Sequence, residues 1–163
     1  MAKHGKNNDQ HERVIDNRRA SFEYHIGETV ECGIALHGPE VKSVRAGQVS
    51  IAEGFVRAEP TGKDTFELFL HGVNIAEYGP AGANRDKPTR TRKLLAHKRE
   101  IVRLWKASQV KGNTLIPLKI YFKNGYAKCL VGVGTGKQQH DKRQSIKERE
   151  SKREIARAIS KRV

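Results

Sequence analysis

Asn124-Gly125 stands between two runs in which apolar and polar residues alternate, Leu118, Ile120 and Phe122 before it and Cys129, Val131 and Val133 after it. Asn-Gly readily takes the positive-φ conformations of a two-residue hairpin turn, so the segment predicts two antiparallel strands with their register set by the turn. Lys123 then faces Tyr126, Tyr121 faces Lys128 and Lys119 faces Leu130. One face receives Leu118, Ile120, Phe122, Ala127, Cys129 and Val131. The other shows three lysines interleaved with two tyrosines.

The same alternation runs back through the chain. Phe22, Tyr24 and Ile26 alternate, as do Val30, Cys32, Ile34 and Leu36; Phe55-Val56, Phe66 to Leu70, and Val73 with Ile75 extend the pattern. Two helices interrupt the strands. Gly38-Pro39-Glu40 opens a short one, with Pro at the first helical position, Glu40 near the positive end of the dipole and Gly47 to stop it. The spacing of Leu94, Ile101, Leu104 and Trp105 predicts a longer one from about Lys93 to Ser108. Short strands with two or three helices on roughly 115 residues give a mainly β fold: a small barrel of the oligonucleotide-binding type, with a flat α+β sheet as the alternative.

The organisation expected is a flexible lead-in over residues 1–20, a barrel over 21–135 and a basic tail over 136–163. The tail carries ten Lys/Arg and four Asp/Glu, with Ile146, Ile155, Ile159 and Val163 as its branched aliphatics. Its helix propensity is good, but its apolar stripe is thin, so it is expected to be disordered when free and helical against a partner.

Across all 163 residues, 32 Lys+Arg oppose 18 Asp+Glu, a net charge of +14. Such a charge selects a polyanionic partner, and nucleic acid is the commonest. No apolar run approaches the ~20 residues that span a bilayer. The first ten residues are polar, without the apolar stretch of a secretory signal. Cys32 and Cys129 lack zinc spacing and fit a reducing cytoplasm. No metal or cofactor is expected.

Candidate binding residues follow from charge and aromatic placement. On the hairpin, Lys119, Tyr121, Lys123 and Lys128 can meet phosphates and stack bases. From Ile101 to His140 there is no acidic residue, against seven Lys/Arg. Residues 85–99 hold seven basic side chains, and Arg90, Arg92 and Lys93 lead into the expected long helix, whose N-terminus welcomes phosphate. Glu31 lies on the polar face of its strand beside Gly33 and Ala35. There it either accepts hydrogen bonds from base amino groups or a ribose 2′-OH, or pairs with a neighbouring Lys or Arg. Catalysis finds no support: the seven histidines are scattered and no nucleophile or phosphate-loop motif occurs. Gly132, Gly134 and Gly136 ahead of Lys137 read as a hinge.

Five motifs in order, Asn17 to Ala20, Gly38 to Ser43, Pro88 to Leu95, Pro117 to Gly125 and Gly136 to Glu150, resemble the SmpB family of bacterial ribosome rescue. The resemblance implies an oligonucleotide-binding-type barrel that clasps the tRNA-like domain of transfer-messenger RNA (tmRNA). It further implies travel with elongation factor Tu to a stalled ribosome, and a tail that enters the decoding centre and the vacant mRNA channel. Glu31, Leu95 and Lys128 match tmRNA-binding positions, with Asn17 and Arg19 on the same edge and Lys42 in the second motif. Gly136, Lys137, His140, Asp141, Lys142 and Arg143 match the decoding-centre segment, and Ile155 and Ile159 would seat the tail helix. The competing reading is a ribosomal or initiation-factor-like barrel that binds rRNA directly.

Overall fold

A computed structural model describes residues 13–79 and 86–161. The elements run β1 (Ile15–Asp16), α1 (Arg18–Glu23), β2 (Tyr24–Ile34), α2 (Gly38–Arg45), β3 (Val49–Ser50), β4 (Phe55–Gly62), β5 (Thr65–His71), β6 (Asn74–Ile75), β7 (Arg92–Leu95), α3 (Lys98–Gln109), β8 (Asn113–Lys123), β9 (Tyr126–Gly136) and α4 (Gln139–Ser160). Strands pair in the order β8-β4-β5-β7-β2-β9, and β9 returns to β8, so six antiparallel strands close a barrel. Closure leaves no unpaired edge along the ring. The β1 strand adds to β8 through Ile15 opposite Ile120, and β3 pairs with β6 in a separate two-stranded sheet.

The inward residues of each strand fill the barrel: Val30, Cys32 and Ile34 from β2, Leu68 and Leu70 from β5, Leu94 from β7, Ile120 and Phe122 from β8, Cys129 and Val131 from β9. Ile101 and Leu104 of α3 and Val44 of α2 join the same core. Cys32 and Cys129 face each other across β2 and β9 as free, buried thiols. Burial pushes the Cys32 thiol up to about 12 and that of Cys129 higher still, so both behave as small core residues. Among the described residues no helix is long and apolar enough to cross a membrane.

The hairpin takes the register its turn predicts, with Lys123 opposite Tyr126, Tyr121 opposite Lys128 and Lys119 opposite Leu130. Asn124 and Gly125 both have positive φ, 53° and 78°. A bulge between Pro117 and Lys119 corrects the inward list. Pro117 is fully buried, while Leu118 shifts to the outer face. There a Cβ on Gly132 would lie 2.7 Å from the Leu118 Cδ1, and one on Gly134 would collide with Ile116. These glycines therefore belong to β9 and admit side chains across the sheet; they are not a hinge.

Three further expectations change. The long helix starts at Lys98, because Lys93 and Leu94 lie in β7 and the His97 N–H, donating to Glu100 at 3.0 Å, marks the helix start. The lead-in ends earlier than residue 20: residues 1–12 lie outside the described set, whereas β1 and α1 are built onto the barrel. The Asn17 side chain caps α1 at Ala20 N and donates to Pro117 O at 2.9 Å, which places this helix against β8. Among the described residues the helices number four, since residues 139–160 form α4; none of its residues is buried.

Arg92 is the largest fully buried side chain. Its Nε donates to Glu40 Oε1 at 2.8 Å, Nη1 to Val73 O at 2.9 Å and Arg90 O at 2.8 Å, and Nη2 to Pro88 O at 3.0 Å. Arg90 Nη2 donates to the other Glu40 oxygen at 2.6 Å. Burial alone would raise the Glu40 carboxyl, but Arg90, the His37 N–H and Arg92 hold it below its ordinary value. Arg92→Met should therefore destabilise the fold by about 3 kcal/mol, since it leaves a buried carboxylate short of a partner. A lowered carboxyl stabilises above its unfolded pKa and stops doing so as pH falls through the folded one. Glu40→Gln should accordingly weaken the protein near pH 7 and flatten its loss of stability below about pH 4.5. Urea unfolding at both pH values checks the two variants.

Candidate nucleic-acid interface

Gly33 organises the principal site. In β2 it pairs with Lys128 of β9 on one side and Leu95 of β7 on the other. A Cβ there would lie 3.4 Å from that of Leu95, so the glycine admits a leucine on the outer face. Glu31, two residues earlier, lies on the same outer face opposite Leu130. Glu31, Leu95, Ala96, His97, Glu100 and Lys128 line one shallow groove of about 490 Å³. Leu95 remains 54% exposed, far from the core its side chain would suit.

Glu31 combines both possibilities raised by its sequence position. Its Oε2 accepts the Tyr121 hydroxyl, and Lys123 Nζ lies 3.3 Å from Oε1. The Tyr121 hydrogen bond, followed by Lys123 and the charge of Lys128, overcomes partial desolvation and keeps the Glu31 carboxyl below its ordinary range. Burial and the same carboxylate push the Tyr121 hydroxyl up to about 12. A carboxylate has about four lone-pair positions, so these two partners leave acceptor capacity toward the groove. Tyr126, 72% exposed at the hairpin turn, offers an open ring.

The remaining sequence candidates divide. Arg92 is fully buried and has no surface to offer RNA; it is a structural residue. Asn17 is likewise buried, its side chain used by Ala20, Ile51 and Pro117. Arg90 is drawn toward Glu40, and Lys93 pairs with Glu67 at 2.6 Å. Arg19 bridges Glu23 and Glu53 at a smaller cleft that also contains Tyr24 and Phe55. Lys42 lies over the Tyr78 ring at 4.8 Å, and Lys119 stands 3.6 Å from Asp16. Glu31, Leu95, Tyr121, Lys123 and Lys128 are therefore the set brought together. Ala96, His97 and Glu100 were not singled out from the sequence, although the His97–Glu100 spacing of a helix start was there to read.

The tail begins at the opposite end of β9 from the hairpin turn. Eleven residues of strand separate them, roughly 35 Å of backbone rise. Gly136 pairs with Tyr24, and Lys137 follows with its N–H to Glu23 O at 2.8 Å and its Nζ to Ser21 O at 3.0 Å. Asp141 lies 3.4 Å from His25 Nε2, a contact that lowers its carboxyl, with His140 on its other side. His140 and Arg143 are exposed and Lys142 half-exposed. Ile155 and Ile159, 56% and 62% exposed, share the far part of α4.

The family model for SmpB protein matches residues 14–161. An SsrA-binding protein of Halalkalibacterium halodurans is 44% identical over 146 residues, covering 90% of this chain and 92% of that one. Another from Leuconostoc mesenteroides is 46% identical over 157 residues, 96% and 97% of the two chains. A solved structure described as "tmRNA-SmpB: a journey to the center of the bacterial ribosome" contains a chain 45% identical, with a TM-score of 0.64 over 82% of this chain and 94% of that one.

Proposed function

Because the chain belongs to the SmpB family along nearly its whole length, we propose that it binds the tRNA-like domain of tmRNA and brings it to stalled ribosomes for trans-translation. The observation that carries this reading is the groove in which an ionised Glu31 stands beside Lys128 and an exposed Leu95. A phosphate-only surface would exclude that carboxylate. A folded RNA presents ribose hydroxyls and base amino groups that donate to it, while Lys128 meets the adjoining phosphate and Leu95 packs on a base or sugar face.

The distribution of charge supports an adaptor rather than a catalyst. The groove gathers acceptors, a cation and an apolar contact, a set suited to holding a folded RNA by its hydroxyls, phosphates and ring faces. Its work belongs in the cytoplasm, where elongation factor Tu would carry the tmRNA complex. Separation of hairpin and tail by the length of β9 lets one end hold tmRNA while the other reaches the ribosome. In the decoding centre His140 would stack on a base, Lys142 and Arg143 would meet rRNA phosphates, and Asp141 would orient them. Beyond it, Ile155 and Ile159 would seat α4 in the vacant mRNA channel. A barrel that bound rRNA directly would share the composition but not the five ordered motifs.

Lys128→Glu should weaken the isolated tRNA-like domain by about 1–3 kcal/mol, since it removes a charge-assisted contact and adds a repulsion. Glu31→Gln should also weaken it although the protein becomes more positive, the opposite of what charge steering alone predicts. Fluorescence anisotropy at fixed salt measures both; unchanged binding by Lys128→Glu removes the groove from the interface. Truncation after Gly136 should leave tmRNA binding within about twofold, because α4 buries no residue against the barrel. Tagging of a nascent chain on a stalled ribosome should nevertheless fail. Normal tagging by the truncated protein would leave only a tmRNA-binding module.

A further inference from the structure

Tyr121 and Lys123 were singled out as direct RNA contacts, yet both spend their polar atoms on Glu31. The Tyr121 hydroxyl donates to Glu31 Oε2, and Lys123 Nζ stands 3.3 Å and 3.4 Å from the two carboxylate oxygens. A phenol has one proton to donate, so this bond uses it. The Tyr121 ring is half-buried on β8 opposite Lys128, whereas Tyr126 is the ring left open.

We propose that Tyr121 is a positioning residue that acts on RNA through Glu31, fixing the carboxylate so that its free lone pairs face the groove between Leu95 and Lys128. The proposal rests on the reading of Glu31 as an acceptor for RNA, and it specifies the ligand group as a neutral donor, a ribose hydroxyl or a base amino group. A free glutamate side chain samples many rotamers and must be ordered when RNA binds; two hydrogen bonds from β8 order it beforehand. The same bonds keep it charged, and a charged acceptor makes the stronger bond.

The groups that face this carboxylate are Tyr121 and Lys123 from β8, Lys128 from β9, and His97 and Glu100 across the groove. Tyr121 makes the largest contribution to lowering the Glu31 carboxyl. Removing the hydroxyl should raise that carboxyl toward its ordinary value. Since a lowered group keeps its charge until pH falls through the folded pKa, the variant should lose its charged acceptor at a higher pH than the native protein.

The test uses the full chain and an isolated tRNA-like domain transcript, with Tyr121→Phe, Glu31→Gln and the double variant. Carboxyl NMR titration of the free proteins reads the Glu31 midpoint, and anisotropy at fixed salt reads binding from about pH 7.5 down to about pH 4. Tyr121→Phe is expected to raise the midpoint and to weaken binding about three- to tenfold at neutral pH, more as pH falls. On the Glu31→Gln background the same change should cost less than about twofold, and Glu31→Gln supplies the reference for the RNA's own pH response. An unmoved midpoint overturns the positioning role. A loss that persists in full on the Glu31→Gln background makes Tyr121 a direct contact and also overturns it. Glu31→Gln binding as tightly as the native protein overturns the reading of Glu31 itself, and the proposal with it.

Discussion

The guanidinium of Arg92 sits without accessible surface in a shell of one carboxylate and three backbone carbonyls, and the placement of the interface follows from it. An arginine buried without partners would cost several kcal/mol, roughly as much as a small domain can spare. Glu40 of α2 supplies the countercharge, and Val73, Pro88 and Arg90 supply the acceptors. Side chains alternate along a strand, so fixing Arg92 inward also fixes Leu94 inward and turns Lys93 and Leu95 outward. A one-residue slip of β7 would bury Leu95 and expose Leu94. A residue with no accessible surface thus decides which leucine is presented to solvent at the groove.

Glycine makes the second decision. At Gly33 the missing Cβ brings Leu95 against β2, and at Gly132 and Gly134 it admits Leu118 and Ile116 on the outer surface of β9. Tyr24 packs there too, 3.1 Å from where a Gly134 Cβ would stand. Tyr24 ends α1, and the preceding Glu23 carbonyl receives the N–H of Lys137. The start of the tail is therefore positioned by the same strand that carries Lys128. The two ends of β9 thus carry the two regions to which the proposed function assigns separate roles.

Much of this was legible in the residues, and the failures have physical causes. The hairpin register could be read because Asn-Gly and strict alternation point to the same pairing. Lys128 was legible on the basic hairpin face, and Leu95 came only from the family resemblance; periodicity alone left Glu31 open between pairing and binding, and the structure has it already paired and still accessible. Leu94 misled because it stands seven residues before Ile101, a spacing that suits one helix face as well as an inward strand position. Arg92 looked like one more cation in a basic run; its burial depends on Glu40, 52 residues away. Helix α1, six residues long, is too short to declare a period, and its cap is tied to Pro117, 100 residues distant. Long-range partners of this kind leave no local signal.

The tail obeys a different balance. Helix α4 spans 22 residues, about 33 Å, without burying one of them. Among the described residues, its hydrogen bonds and ion pairs to the barrel lie at its beginning: Lys137 to Ser21 and Glu23, and Asp141 to His25. Exposed polar contacts of this sort are screened by solvent and add little to stability. They define where the helix starts but supply little torque over its length, so its direction is open to any partner that offers more. With Lys and Arg on every turn and two isoleucines near its end, the partner we propose for it is a channel walled by phosphate. The barrel therefore contributes a fixed origin and the ribosome would contribute the path, which explains how one rigid RNA clasp and one solvated basic helix can work in a single short chain.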